Sequence, residues 1–172
     1  GSGNKTGCCV RNVKVYEDGF SVTQPDGLAR TEIHDPWFLE RVEVRRGPSS
    51  SLYDNYALGG MVHFRTRRGR DIDGVETFVS AGSYGYHKEA IAIGKEYGNL
   101  DIALFSSYQR EDGWRDHSQY WVSTVNLNIR YRIDDRQSIY VKAINLDEDE
   151  KFPTRLTSSQ FQANPRQMGG TA

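Results

Sequence analysis

The stretch ERVEVRRGPSSSLYDNYALGG, Glu40 to Gly60, sets Arg45 and Arg46 against a chain reversal at Gly47–Pro48. Guanidinium groups at such a place can grip a phosphate, pair with buried carboxylates or stand in water. A phosphate loop offers glycine N–H groups and a lysine. Here that spacing is absent and Pro48 removes a donor, so phosphate is the weakest of the three. The other two stay open on these residues alone. Elsewhere the chemistry thins out. DEDEK, Asp147 to Lys151, offers oxygen ligands for a hard cation but lacks the glycine and spacing of a calcium loop, and reads as a solvated acidic run. The four histidines are scattered with no His-x-x-x-His pair, and no nucleophile elbow occurs, so a hydrolase has no constellation to stand on. Cys8 and Cys9 are adjacent. Their Cα atoms sit ~3.8 Å apart, short of the roughly 4.4–6.8 Å of an ordinary disulfide, so they read as two structural thiols. No metal site and no cofactor is implied.

The elements that must position these residues fall into two textures. In the first, VRNVKVYEDGFSV places Val13 and Val15 on one face and turns at Asp18–Gly19 into Phe20 and Val22, which predicts a hairpin. TQPDGLART is rich in turn-formers and predicts an exposed loop. In HDPWFLE, Asp35 is placed to cap a short helix with Pro36 at its first position. RVEVRR alternates through Val42 and Val44, SSSLYDN suits one helical turn, and GMVHFRTR is another strand through Val62 and Phe64.

From residue 71 the pattern is more regular. DGVETFVSAG, YHKEAIAIGKEY, NLDIALFSSYQRE, YWVSTVNLNIRYRI and QSIYVKAINLDED are strand candidates, close to the ~9–11 residues that cross a bilayer when tilted. In the fourth, Trp121, Val125, Leu127, Ile129, Tyr131 and Ile133 share one face, and Val122, Thr124, Asn126, Asn128, Arg130 and Arg132 the other. One side is greasy and the other wet, with aromatics near the ends. YGN and DDR are tight connections, while DGWRDHSQ and the stretch after Asp147 are long. No run approaches the ~20 apolar residues of a membrane helix, yet a barrel also reads as hydrophilic, so the negative mean hydropathy separates nothing. With 22 Lys+Arg against 23 Asp+Glu there is no basic field for nucleic acid. A soluble β-rich binding module, for carbohydrate, with Trp114 and Trp121 as stacking platforms, remains the alternative.

The string Tyr16, Asp18–Gly19, Asp35–Pro36, Leu39 to Val44, Arg46-Gly47-Pro48, Ser50, Leu52–Tyr53, Gly59–Gly60 and Thr66 resembles the plug of the TonB-dependent outer-membrane receptors of Gram-negative bacteria. The resemblance implies that residues 1–70 are the C-terminal part of the α+β plug domain. Residues 71–172 would then be the first antiparallel amphipathic β-strands and loops of an incomplete transmembrane β-barrel. The tail LTSSQFQANPRQMGGTA resembles a long extracellular loop of siderophore and ferric-citrate receptors. Asp54 stands where the family usually has Gly. Five strands cannot close a barrel, for which the smallest number is about eight, so the chain is expected to be a fragment. The first half of the plug, with the segment that TonB grasps, and most of the barrel are expected outside it.

The resemblance also places sites. Arg11 and Arg46 occupy plug positions that pair with glutamates of later barrel strands, which is the setting a buried guanidinium needs. Gln24, Asp26 and Arg30 fall in an apical plug loop that touches cargo. In the extracellular loop DGWRDHSQ, Trp114, Arg115 and His117 offer stacking, charge and hydrogen bonding. The implied partners are an iron chelate or similar nutrient, TonB in the full-length protein, and outer-membrane lipid. The implied location is the bacterial outer membrane, and no catalysis is involved.

Overall fold

The computed structural model describes residues 12–23, 27–29, 34–48 and 57–169. The helical turn expected over SSSLYDN, the two cysteines and Asp54 lie outside them. The chain divides into two compact units, Gly1–Arg67 and Arg68–Ala172.

The first unit is built on a four-stranded sheet, β1 (Val13–Glu17), β2 (Phe20–Ser21), β3 (Leu39–Arg46) and β4 (Gly60–Thr66), in the order β2-β1-β4-β3. β1 and β2 form the expected hairpin, with Glu17 opposite Phe20. Asp18 and Gly19 both take positive φ, 50° and 94°, as primed hairpin turns require. β4 holds this turn in place. The Asp18 carboxylate accepts from the Thr66 N–H at 2.9 Å and the Thr66 hydroxyl at 2.6 Å. The Gly19 N–H donates to His63 Nε2 at 3.0 Å. Asp35 caps a 3-10 turn, Pro36–Phe38, by accepting from the Trp37 N–H at 3.0 Å. Local pattern does not reveal that β1 runs parallel to β4, with Val15 beside Val62. Val15, Phe38 and Met61 are buried around that seam.

The second unit begins with a short helix, α1 (Gly69–Ile72), unforeseen in the sequence, and continues as a meander. Its strands are β5 (Gly74–Ala81), β6 (His87–Tyr97), β7 (Leu100–Glu111), β8 (Tyr120–Arg132) and β9 (Ser138–Glu150), each antiparallel to the next. All five match the strand candidates of the sequence. The helix lies directly on β6 and β7. A Cβ at Gly69 would stand 2.1 Å from the Ile102 carbonyl oxygen, and one at Gly94 2.8 Å from the Gly69 Cα, so only glycine allows this approach. The Asp101 carboxylate completes the joint by accepting from the N–H groups of Gly69 and Arg70 at 2.9 and 3.0 Å.

Burial across this sheet is inverted relative to a soluble sandwich. Register aligns Val75, Ile93, Leu104, Leu127 and Ala143 in one row, and Lys95, Ile102, Ile129 and Val141 in the next. This apolar side is the open one: Val75 is 64%, Val79 70% and Val141 53% exposed. The covered side carries Thr124, Asn126 and Asn128, at 7%, 5% and 6%, beside Ala92, Ala103 and Phe105. Water drives aliphatic side chains inward, so an outward greasy face calls for a hydrocarbon solvent. From Trp121 to Tyr131, β8 rises ~34 Å along the strand, or ~25 Å after a tilt of 40–45°, the height of the apolar band of a barrel. Aromatics stand at both rims. Tyr108 and Trp121 stack at 6.4 Å at one, and Tyr97 and Tyr131 share a face at the other. Among the described residues, β5 and β9 are edge strands and the sheet is not closed.

Two outcomes are expected. In a lipid bilayer, Leu127→Arg should destabilise the folded strand wall by ~2–4 kcal/mol and Ser123→Arg, nearer the rim, by ~0–1 kcal/mol. Urea unfolding in lipid vesicles reads both, and equal costs would remove the depth dependence. In the first unit, burial and then the Arg65 charge push the His63 pKa down, against the upward pull of Glu43 and Asp18. The folded site thus resists a proton that the unfolded chain accepts near pH ~6.5. Stability contributed by neutral His63 is present above that value and declines as acid carries pH through the depressed folded value. Hydrogen exchange at the Gly19 amide, corrected for intrinsic rate, should lose protection on going from pH ~7 to ~5. The His63→Gln variant should show no such slope.

Candidate functional site

In an antiparallel meander, alternate connections gather at the same end. Residues 98–99 and 133–137 make the tight end of the second unit, and residues 82–86, 112–119 and 151–169 the long-loop end. The long loops are tied to one another. The Asp112 N–H donates to the Tyr84 carbonyl at 2.9 Å, the Lys151 N–H to Gln119 at 2.9 Å, and the Asp116 N–H to Arg166 at 2.8 Å. Arg166 Nε returns a bond to the Trp114 carbonyl at 3.0 Å.

Arg115 clamps this cluster. Its Nη2 donates to the carbonyls of Thr154 and Gln167, at 3.0 and 2.9 Å, so one guanidinium joins two points of the segment after β9. Charge-assisted bonds of this kind contribute roughly 1.5–3 kcal/mol each. The side chain is half-buried, with the loop folded around it. The sequence nominates Arg115 for its charge toward cargo; the geometry gives it the task of holding the loops in register. Its neighbours face outward. Trp114 is 43% exposed, and His117 is exposed on a backbone at φ 62°.

The segment after β9, read as a plain loop, contains a helix, α2 (Ser158–Ala163). Its signal was present in the sequence: Thr157 and Gln160 form a capping box. Gln160 Oε1 accepts from the Thr157 N–H at 2.9 Å, and Thr157 Oγ1 from the Gln160 N–H at 3.3 Å. Phe152, Phe161 and Met168 stand exposed in this segment, as Trp114 does in the 112–119 loop. Sequence reasoning did not single out the first three, since scattered apolar residues in a loop carry no periodicity.

Arg46 is exposed at the end of β3, opposite Gly60. Arg11, Gln24, Asp26 and Arg30 lie outside the described residues. Among the described residues no group of three or more His, Cys, Asp or Glu could hold a metal.

An α+β unit followed by a meander that is apolar on its open side and polar on its covered side is the pattern of the plug-and-barrel proteins of outer membranes. Comparison with known proteins points the same way. Residues 1–61 match the TonB-dependent Receptor Plug Domain. The vitamin B12 transporter BtuB of Vibrio vulnificus is 23% identical over 172 aligned residues, covering 92% of this chain and 27% of that protein. A hemin receptor of Yersinia enterocolitica is 28% identical over 145, covering 75% and 21%. The unliganded ferric citrate transporter FecA superposes with a TM-score of 0.71 at 22% identity, over 98% of this chain and 29% of that one, a likeness of fold. Residues 1–61 thus match the plug of the TonB-dependent receptors, and the chain as a whole is similar to bacterial outer-membrane receptors of that kind. It spans less than a third of the relatives named here.

In the complete receptor, Arg115→Ala should free residues 151–169, seen as faster proteolysis there while the strands stay protected. Arg115→Lys, whose single ammonium nitrogen can also donate twice but on a shorter stem, should restore part of the protection. Unchanged proteolysis in Arg115→Ala would remove the clamp.

Proposed function

We propose that the chain belongs to an importer that carries a scarce nutrient, a ferric siderophore or ferric citrate, across the outer membrane. The observation that carries this reading is the outward apolar face of β5–β9 with Asn126 and Asn128 on the covered side. Such a wall separates lipid from a wet interior, and residues 1–61 match a plug domain. Cargo binds at the long-loop end. There Trp114 and His117 face outward for stacking and hydrogen bonding, and Arg115 acts through the loops it joins. Gln24, Asp26 and Arg30 supply the plug's share of that contact.

Opening requires work, because no covalent step drives transport. In this reading TonB pulls on the plug to open a path. Arg11 and Arg46 seat the plug by pairing with glutamates of later strands. The named relatives fit a metal-chelate cargo: one is a hemin receptor and another a ferrioxamine receptor of Yersinia enterocolitica.

The test is uptake. Cells lacking the complete receptor, then complemented with it, should regain radio-iron uptake from one ferric chelate of a panel. That uptake should stop when TonB is deleted, and Trp114→Ala with His117→Ala should raise the concentration needed for half-maximal uptake at least several-fold. Uptake of none of the chelates, with the receptor seated in the outer membrane, would overturn the cargo class.

A further inference from the structure

At the tight-turn end of the second unit lies a cleft of about 250 Å³. Its cations are all guanidinium groups: Arg130 and Arg132 from β8, Arg136 from the following turn, and Arg68 and Arg70 around α1. Carboxylates line it too, and how they are engaged decides its character. Asp101 stands opposite Arg130 in the β7–β8 register, the place for a cross-strand ion pair. Its two oxygens instead accept from the N–H groups of Gly69 and Arg70. Asp134 Oδ1 likewise accepts from the N–H groups of Arg136 and Gln137, at 2.7 and 2.8 Å.

The arginines are left over. Arg70 has Asp71 at 3.7 Å. Arg132 reaches only the Asn99 side-chain oxygen, at 3.4 Å, and Arg130 lies 5.1 Å from the centre of the Tyr140 ring. Among the described residues, Arg68, Arg130, Arg132 and Arg136 have no carboxylate partner. Glu96 and Asp135 are the acidic side chains of the lining whose oxygens cap no backbone N–H among the described residues. Four guanidinium groups around a small cleft, with half the local carboxylates turned to backbone N–H groups, make a receptor for oxygen anions.

We propose that this cleft binds a small soluble oxyanion carrying two or more charges, a polycarboxylate or an inorganic phosphate. Its volume falls below the ~300–1,000 Å³ of sites for drug-sized ligands, so the occupant is compact. Arg130 and Arg132 share the face of Asn126 and Asn128, opposite the apolar rows, which turns them away from bilayer headgroups. The assignment stands apart from the cargo that the long loops take, because it rests on residues at the other end of the sheet.

Calorimetric titration of the complete receptor in detergent micelles, with citrate and separately with inorganic phosphate, tests it. Saturable binding of at least one anion is expected, weakened at least tenfold by Arg130→Gln with Arg132→Gln. Glu96→Gln should tighten binding several-fold, a gain that a misfolded variant cannot imitate. Citrate alone would mark a polycarboxylate and phosphate alone an inorganic source. The proposal is overturned if neither anion binds, if the double variant titrates like the parent, or if Glu96→Gln does not tighten binding.

Discussion

A peptide N–H or C=O left unpaired in hydrocarbon costs several kcal/mol. Strand pairing in a membrane wall therefore has to continue until the sheet meets itself. That constraint organises the second unit. It keeps β6, β7, β8 and β9 long and in unbroken register, with Leu100 to Glu111 paired residue by residue to Tyr131 to Tyr120. It also makes the outward side chains indifferent to burial in the protein, because lipid replaces the core. Val75 and Val79 stand open while Asn126 is covered, an arrangement that would be unstable in water.

The first unit is built differently. Val15, Phe38 and Met61 turn inward while Val42, Val44 and Leu58 stay open, and polar groups hold the turns. Asp18 and His63 bind one hairpin to a strand more than forty residues away by acting as acceptors. Its β1–β4 seam is parallel, which needs a long crossover. One chain thus contains a water-style fold and a lipid-style fold, and the change falls near α1, where Gly69 and Gly94 let backbone meet backbone.

Much of this could be read in the sequence. The alternation of Trp121 through Tyr131 against Thr124 through Arg130 survives intact in β8, because a period of two is a local property. Asp18–Gly19 and Asp35–Pro36 were legible for the same reason: turn and cap chemistry acts within a few residues. What stayed hidden was set at a distance. The partner of β1 depends on Gly60 to Phe64, and the fit of α1 on the backbone of β6 and β7. Arg115 is the sharpest instance at the candidate site. Its residue type suggested an anion, but its bonds go to carbonyls 39 and 52 positions away, which no spacing rule anticipates. The helix after β9 was missed although its capping box, Thr157 to Gln160, lay in view.

The central claim is that the outward rows of β5–β9 touch hydrocarbon. Single nitroxide labels at residues 125, 126, 127 and 128 of the complete receptor in a lipid bilayer address it most directly, read by collision with molecular oxygen, which concentrates in the acyl chains. High oxygen accessibility at Val125 and Leu127, alternating with low values at Asn126 and Asn128, is the predicted result. Equal accessibility at all four, or the reverse alternation, would contradict it.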